Sequence, residues 1–267
     1  MHGVLTSWLS SSGEELIHTP PVLDFYRAQT DNDFPQNYGK AWTASWLHET
    51  VNHVRSVSWS TTPDAVKIVV QARVAPPVLE WSVETVFTYT FTNKHVSIHV
   101  RGEPKGVNIP RTWARCGLTL ALNDISSASW FGRGPGESYK DKKLSQKIGN
   151  YTLPIDDLFT DYEFPQESGN RTDVRWVAFN GKGKEEEAKL KVHFADQEGA
   201  SFTASHYKVG DLDKAEHPFD LKKKKTKETI VRLDWAHHGL GSGSCGPPTL
   251  PQYELNSGAF ENEVLLE

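Results

Sequence analysis

The residues able to do chemistry fall into a few clusters. Acidic side chains gather at Asp31 and Asp33, at Asp156 and Asp157, and at Asp161, Glu163 and Glu167. Two carboxyl groups roughly 5 to 9 Å apart across a sugar ring would cleave a glycosidic bond. Spacing along a strand-rich chain does not set that separation, and loop carboxylates more often bond turn backbone. The histidines predict no metal site. His95 and His99 lie four apart on one side of an extended strand, so their attachment points stand about 13 Å apart, too far to share an ion. His237 and His238 point to opposite faces, and His48 and His53 lack helical spacing. No cofactor is expected in this chain.

Two glycine-rich stretches invite other chemistries. Trp130 to Glu137 follows a strand-like run, but Gly132, Gly134 and Gly136 miss the dinucleotide spacing and no helix follows. It reads as a tight turn with glycines at positive φ, fixed by Glu137 and Tyr139. Gly241 to Gly246 resembles a nucleophile elbow only superficially, because Pro247 and Pro248 cannot open the required helix and Cys245 has no evident base. More suggestive are the segments Phe25 to Phe34 and Asp161 to Arg171. Both mix aromatic rings, which stack on sugar C–H faces, with Asp, Asn, Arg and Gln, which bond hydroxyls.

The elements that must position these residues are strands. From Trp81 to Phe91, Trp81, Val83, Phe87, Tyr89 and Phe91 share one face while Ser82, Glu84, Thr88 and Thr90 share the other, with Val86 the exception. The same period recurs at Val96, Ile98 and Val100, at Leu118, Leu120 and Leu122, at Leu190, Val192 and Phe194, and at Val231, Leu233 and Trp235. One short helix is predicted over Asp211 to Glu216, stopped by Pro218. The stretch Gly181 to Glu187 reads as a solvated hairpin loop, and Lys222 to Lys225 as an exposed loop or edge-strand guard. The expected class is all-β, one large antiparallel sandwich.

Composition agrees. The 267 residues carry 29 basic and 34 acidic side chains, a balance that points away from nucleic acid and membrane surfaces. Nine Trp, twelve Phe and eight Tyr supply a sizeable core. No run reaches the roughly 18 apolar residues of a membrane span, and no secretory leader is visible. Two cysteines exclude a disulfide scaffold. The expected location is the cytoplasm.

A series of segments, in one order along the chain, resembles the C-terminal domain, or separate small chain, of the family-two β-galactosidases. Phe25 to Asp33 is similar to the family's aromatic-x-Arg-Ala-x-x-Asp-Asn-Asp motif, and Ile109 to Arg111 with Gly117 to its Pro-Arg strand. Trp130 to Asp141 matches its Trp-x-Gly-x-Gly-Pro-x-Glu-x-Tyr-x-Asp signature, the most specific of the set. Tyr162 to Arg171 resembles its Tyr-x-x-Pro-x-Glu-x-Gly motif, and Ser205 to Tyr207, His217 and Gly239 to Gly246 complete the series.

The resemblance implies a galactose-mutarotase-like β-supersandwich, residues 1 to 267 forming one domain that lacks the family's first strand. It implies that both catalytic glutamates, and the Mg and Na or K that the assembled enzyme uses, belong to a separate barrel. This chain would hold no catalytic residue and would complete the galactoside pocket. Cys245 and Ser244 would meet the sugar from a loop where many members place Trp. Phe34 would open a mobile segment, Phe34 to Lys40, near the pocket mouth. Two rival readings are a stand-alone carbohydrate-binding module and a sugar epimerase acting through a His and a carboxylate.

Overall fold

A computed structural model describes residues 3–10, 13–181, 188–196 and 200–267 of the protein. Fourteen strands are found among them: β1 (Ile17–Asp24), β2 (Val51–Thr61), β3 (Val66–Ala75), β4 (Ser82–Phe91), β5 (Val96–Lys105), β6 (Arg115–Leu122), β7 (Ile125–Gly134), β8 (Lys147–Pro154), β9 (Arg171–Thr172), β10 (Trp176–Gly181), β11 (Ala188–Phe194), β12 (Ser201–Ser205), β13 (Thr229–His237) and β14 (Phe260–Leu266). All pair antiparallel. One sheet runs β1-β6-β13-β12-β9, the other β2-β3-β4-β5-β14-β11-β10-β7-β8. The all-β antiparallel class read from the sequence is the observed one.

Alternation explains how the sheets meet. Leu118 lies opposite Leu23 and Leu233 in the five-stranded sheet, and Val177 lies opposite Trp130 and Val192 in the nine-stranded one. Both sets project into one shared core, where the Phe202 ring stands 5.6 Å from Trp130 and 6.2 Å from Phe179. On β4, Val83, Phe87 and Tyr89 are buried while Val86 falls on the half-buried opposite face, as its out-of-phase position requires. The second face of the five-stranded sheet is polar yet buried. There Arg115 pairs with Asp234 at 2.5 Å and Asp24 at 2.7 Å, and Arg232 stands 3.8 Å from Glu167.

Among the described residues four short α-helices interrupt the strands: α1 (Tyr38–Ala44), α2 (Ile155–Leu158), α3 (Val209–Leu212) and α4 (Pro218–Lys222). The helix expected over Asp211 to Glu216 is displaced to α3, because Leu212 is the residue that finds a buried site beside Ala28 and Tyr207. Pro218 does not stop a helix but begins α4, at the first-turn position where its missing N–H costs nothing. The exposed Lys222 to Lys225 stretch ends α4 rather than guarding an edge, with Lys222 on Asp161 at 2.8 Å and Lys225 on Asp156 at 2.7 Å. The predicted hairpin loop at 182–187 lies outside the described residues.

The turn at Trp130 to Glu137 also needs correcting. Gly132, Gly134 and Gly136 are not among the glycines at positive φ. Glycine is required there by close approach: a Cβ on Gly134 would sit 2.7 Å from the Tyr151 ring and 2.8 Å from Trp130, and one on Gly132 would sit 3.0 Å from the Val174 backbone. Glu137 does fix the neighbouring chain, accepting from Tyr162 Oη, from Thr160 Oγ1 at 3.1 Å and from Gly169 N at 2.8 Å. Among the described residues, no helix is long and apolar enough to cross a membrane.

Candidate functional site

The loop Gly241 to Gly246 leaves the end of β13 through a rigid corner. The His237 ring rests 5.3 Å from Tyr139 and the His238 ring 4.5 Å from Tyr38. The His238 ring also meets Trp42 edge-on at 5.3 Å and donates from Nδ1 to the Gly239 carbonyl at 2.7 Å. Burial holds its pKa down to about 4. Asp141 then accepts from Leu240 N at 3.0 Å and Gly241 N at 2.6 Å, while Lys142 Nζ donates to the Gly241 carbonyl at 2.7 Å. Gly241 takes φ +63, with Thr249 backbone 2.8 Å from where a Cβ would be. Beyond it the loop closes on itself, Ser242 N donating to Pro247 O at 3.2 Å and Cys245 N to Ser242 O at 3.2 Å. Ser244 and Cys245 stand exposed at the tip, the Cys245 thiol free.

A second loop meets this tip. Thr30 leads into a single 3₁₀ turn, Asp31–Asp33, anchored from below. Arg27 grips Asp33 with two nitrogens at 2.8 and 3.1 Å, both side chains fully buried, and its guanidinium lies 5.0 Å from the Trp42 ring centroid. Thr30 donates to Asp33 through its backbone at 2.7 Å and its hydroxyl at 3.0 Å. The turn therefore presents Asn32 and Phe34 at fixed positions. Asn32 Nδ2 donates to Gly241 O at 2.9 Å, and Oδ1 accepts from Ser244 N at 3.2 Å and Ser244 Oγ at 2.7 Å. Phe34, two residues on, is 56% exposed. So the exposed tip carrying Ser244 and Cys245 is tied through Asn32 to the turn that leads to exposed Phe34. The stretch Phe34 to Lys40 runs directly into α1.

Below Phe34 opens a cavity of about 510 Å³, lined on its walls by Tyr26, Gln29, His48, Phe164 and Asp213 among others. The two aromatic-rich segments singled out in the sequence meet here, joined by Asp31 N donating to Gln166 Oε1 at 3.3 Å. The Tyr26 ring lies 5.5 Å from His48, and Gln29 N donates to Asp213 at 3.3 Å. Exposed rings beside amide, carboxylate and imidazole groups suit a neutral polyhydroxylated ligand.

The acidic clusters behave as turn and ion-pair residues. Asp33 serves Arg27, Asp156 serves Lys225, and Asp161 serves Lys222. Glu167 is buried near Arg232, and burial pushes its pKa up. Of the carboxylates lining the cavity, Asp24 is committed to Arg115 and Thr119 at 2.7 Å each. Among the described residues no group of three or more His, Cys, Asp or Glu could hold a metal ion. His99 instead contacts Glu261 at 3.0 Å. Sequence reasoning passed over Asn32 and Asp141, two of the side chains that hold the loop. Both sit inside motifs that were read, at the centre of Asp31 to Asp33 and at the end of Trp130 to Asp141.

Comparison with known proteins places these features. The family profile described as "Beta galactosidase small chain" matches residues 1–266. The β-galactosidase of Kluyveromyces lactis is 32% identical over 250 residues, covering 90% of this chain and 23% of that protein. The β-galactosidase of Vibrio cholerae is 28% identical over 277 residues, covering 99% of this chain and 25% of that protein. The chain thus spans about a quarter of the length of these curated relatives. Among solved structures, a galactose mutarotase-like protein from Lactobacillus casei aligns over 100% of this chain and 94% of its own, with 11% identity and a TM-score of 0.45.

Proposed function

The chain belongs to the β-galactosidase small-chain family, and from that premise we propose that it completes the galactoside pocket of a catalytic barrel carried by another domain or polypeptide. In this reading the barrel supplies the paired carboxyl groups that hydrolyse terminal β-galactosides such as lactose, and any Mg, Na or K belongs to it. Residues 1–267 act as one unit, a reading supported by the core shared between the two sheets. The two free thiols, Cys116 and Cys245, fit a reducing cytoplasm.

One observation supports the proposal: the exposed rim formed by Ser244 and Cys245 is tied through Asn32 to the turn that precedes exposed Phe34, and the buried Arg27–Asp33 pair braces that turn. A rim that is exposed but rigidly underpinned suits contact with a ligand held mainly by something else. Ser244 Oγ offers a hydroxyl partner, Phe34 a stacking face, and Cys245 a small polarizable surface.

The direct test is Cys245→Trp in the assembly of this chain with a barrel-bearing β-galactosidase portion. An added aromatic contact of about 1 kcal/mol lowers KM for a galactoside about fivefold or shifts acceptor preference. Unchanged KM and kcat with every acceptor removes Cys245 from the pocket. Hydrolysis of lactose by the purified 267-residue chain alone would refute the division of labour.

The cavity beneath Phe34 favours a second reading, a carbohydrate-binding module without hydrolytic activity. Saturable binding of galactose at millimolar concentration or below by the chain alone supports it, and no binding at tens of millimolar removes it.

A further inference from the structure

The tip of the 241–246 loop is tied to the remainder of the protein by one side chain among the described residues. Asp141 and Lys142 hold the loop's base, at Leu240 and Gly241. Gln36 holds its far end, accepting from Thr249 N at 2.9 Å. Between these points, Ser242, Cys245 and Gly246 bond only within the loop, to one another and to Pro247. Ser244 alone reaches outward, and both of its bonds, from N and from Oγ, end on Asn32 Oδ1. The same carboxamide donates from its other end to Gly241 O, so a single planar group spans base and tip.

That carboxamide is itself immobilised. Asp33, next in sequence, is buried and bound by Arg27 and by both polar groups of Thr30. Gln36 Nε2 donates back to Asn32 O at 3.2 Å, fixing the backbone on the other side. Gly243 is also pressed against this turn. A Cβ there would stand 2.1 Å from Gln36 Nε2 and 3.1 Å from Asn32 O, so a side chain would push the Gln36 carboxamide aside and crowd the turn.

We propose that Asn32 is the positioning residue of the site, holding the loop tip and thereby setting the pose in which Ser244 and Cys245 meet a galactoside. The second half of this statement rests on the pocket reading above; the first half does not. Alanine lacks both the donor and the acceptor, whereas Phe34 and the buried Arg27–Asp33 pair are untouched by the change.

Hydrogen exchange of the full 267-residue chain tests the clamp without any substrate. In Asn32→Ala the Ser244 amide exchanges about tenfold faster, the factor that one neutral hydrogen bond commands. Ser244→Ala, at an exposed position, removes only the hydroxyl donor and gives a smaller acceleration at residue 244. The two changes combined do no more than Asn32→Ala, because both act on one interaction. An unchanged Ser244 amide in Asn32→Ala, or full additivity of the two changes, overturns the clamp. In the assembly with the barrel-bearing portion, Asn32→Ala raises KM for a galactoside at least fivefold while kcat moves less than twofold. Faster exchange with an unchanged KM keeps Asn32 as the clamp and overturns its role in presenting the tip to sugar.

Discussion

Acid should destabilise this protein through His238, by an amount that follows from the structure. The ring is buried between Tyr38 and Trp42, and its Nδ1 faces the Gly239 carbonyl at 2.7 Å, so the neutral ring carries its proton there. Nε2 is buried with no partner. A second proton would enter a site without an acceptor, and Arg27 adds repulsion, although Asp33 and Glu254 oppose it. The pKa is therefore held at about 4, against an ordinary 6.5 in the unfolded chain. Between those values the unfolded state binds the proton and the folded state does not. Stability from this group is complete above pH 6.5 and falls as pH drops towards 4, by about 3 kcal/mol at 1.36 kcal/mol per unit. Urea denaturation followed by tryptophan fluorescence at pH 7.5, 6, 5 and 4, at constant ionic strength, measures it. His238→Gln keeps a donor for Gly239 O and cannot titrate, so its stability should fall by about 3 kcal/mol less than the native chain's over that range. His237, whose pKa burial also lowers, remains in both proteins and cancels to first order. Parallel pH curves for the two proteins would refute the reasoning.

Two further outcomes follow from burial. Arg27→Ala leaves the Asp33 carboxylate buried without its partner and should cost about 3 to 5 kcal/mol, read as a lowered urea midpoint; a loss below 1 kcal/mol would mean that water reaches Asp33. In the native chain one thiol of the two reacts promptly with a disulfide reagent, since Cys245 is exposed while Cys116 is buried in the core and burial pushes its pKa up. Denaturant releases the second thiol, and two prompt equivalents would show that the β6 region opens.

The sheets were legible because they rest on a period of two. Once Leu118, Leu120 and Leu122 must face one side, Arg115 and Thr119 must face the other, and the same holds for Val231 and Leu233 against Arg232 and Asp234. The sequence did not reveal that this second face would be buried as well. What covers it comes from distant loops, Glu167 standing 3.8 Å from Arg232 and close enough to Arg115 and Arg27 to feel their charges. The short helices were hidden for a related reason. α1 has seven residues and buries Tyr38, Gly39 and Trp42, too brief a stretch for a 3.6-residue period to declare itself. Pro218 misled because the same residue that ends one helix is favoured at the start of the next. At Gly132 and Gly134 the residue type was read as backbone freedom where it serves contact with Tyr151, Trp130 and Val174.

The site itself was legible only as motifs, and its geometry shows why. Asn32 and Ser244 are 212 residues apart in sequence and bonded in space. No local period links them, so their contact depends on β1 and β13 both flanking β6 and delivering their following loops to one end of the sheet. What fixes the loops is buried: the Arg27–Asp33 ion pair beneath one, and the neutral His238 ring in its aromatic box beneath the other. What the loops display is exposed and uncharged: Phe34, Ser244 and Cys245. Buried ion pairs contribute little net stability compared with apolar packing of the same volume, yet removing one partner is costly, so such pairs serve best where a unique geometry is needed. One such pair, Arg27–Asp33, lies directly beneath the turn that carries Asn32. On the proposed clamp the tip is positioned from below by Asn32 through Ser244, so the Cys245 side chain, which is exposed, has no part in holding it.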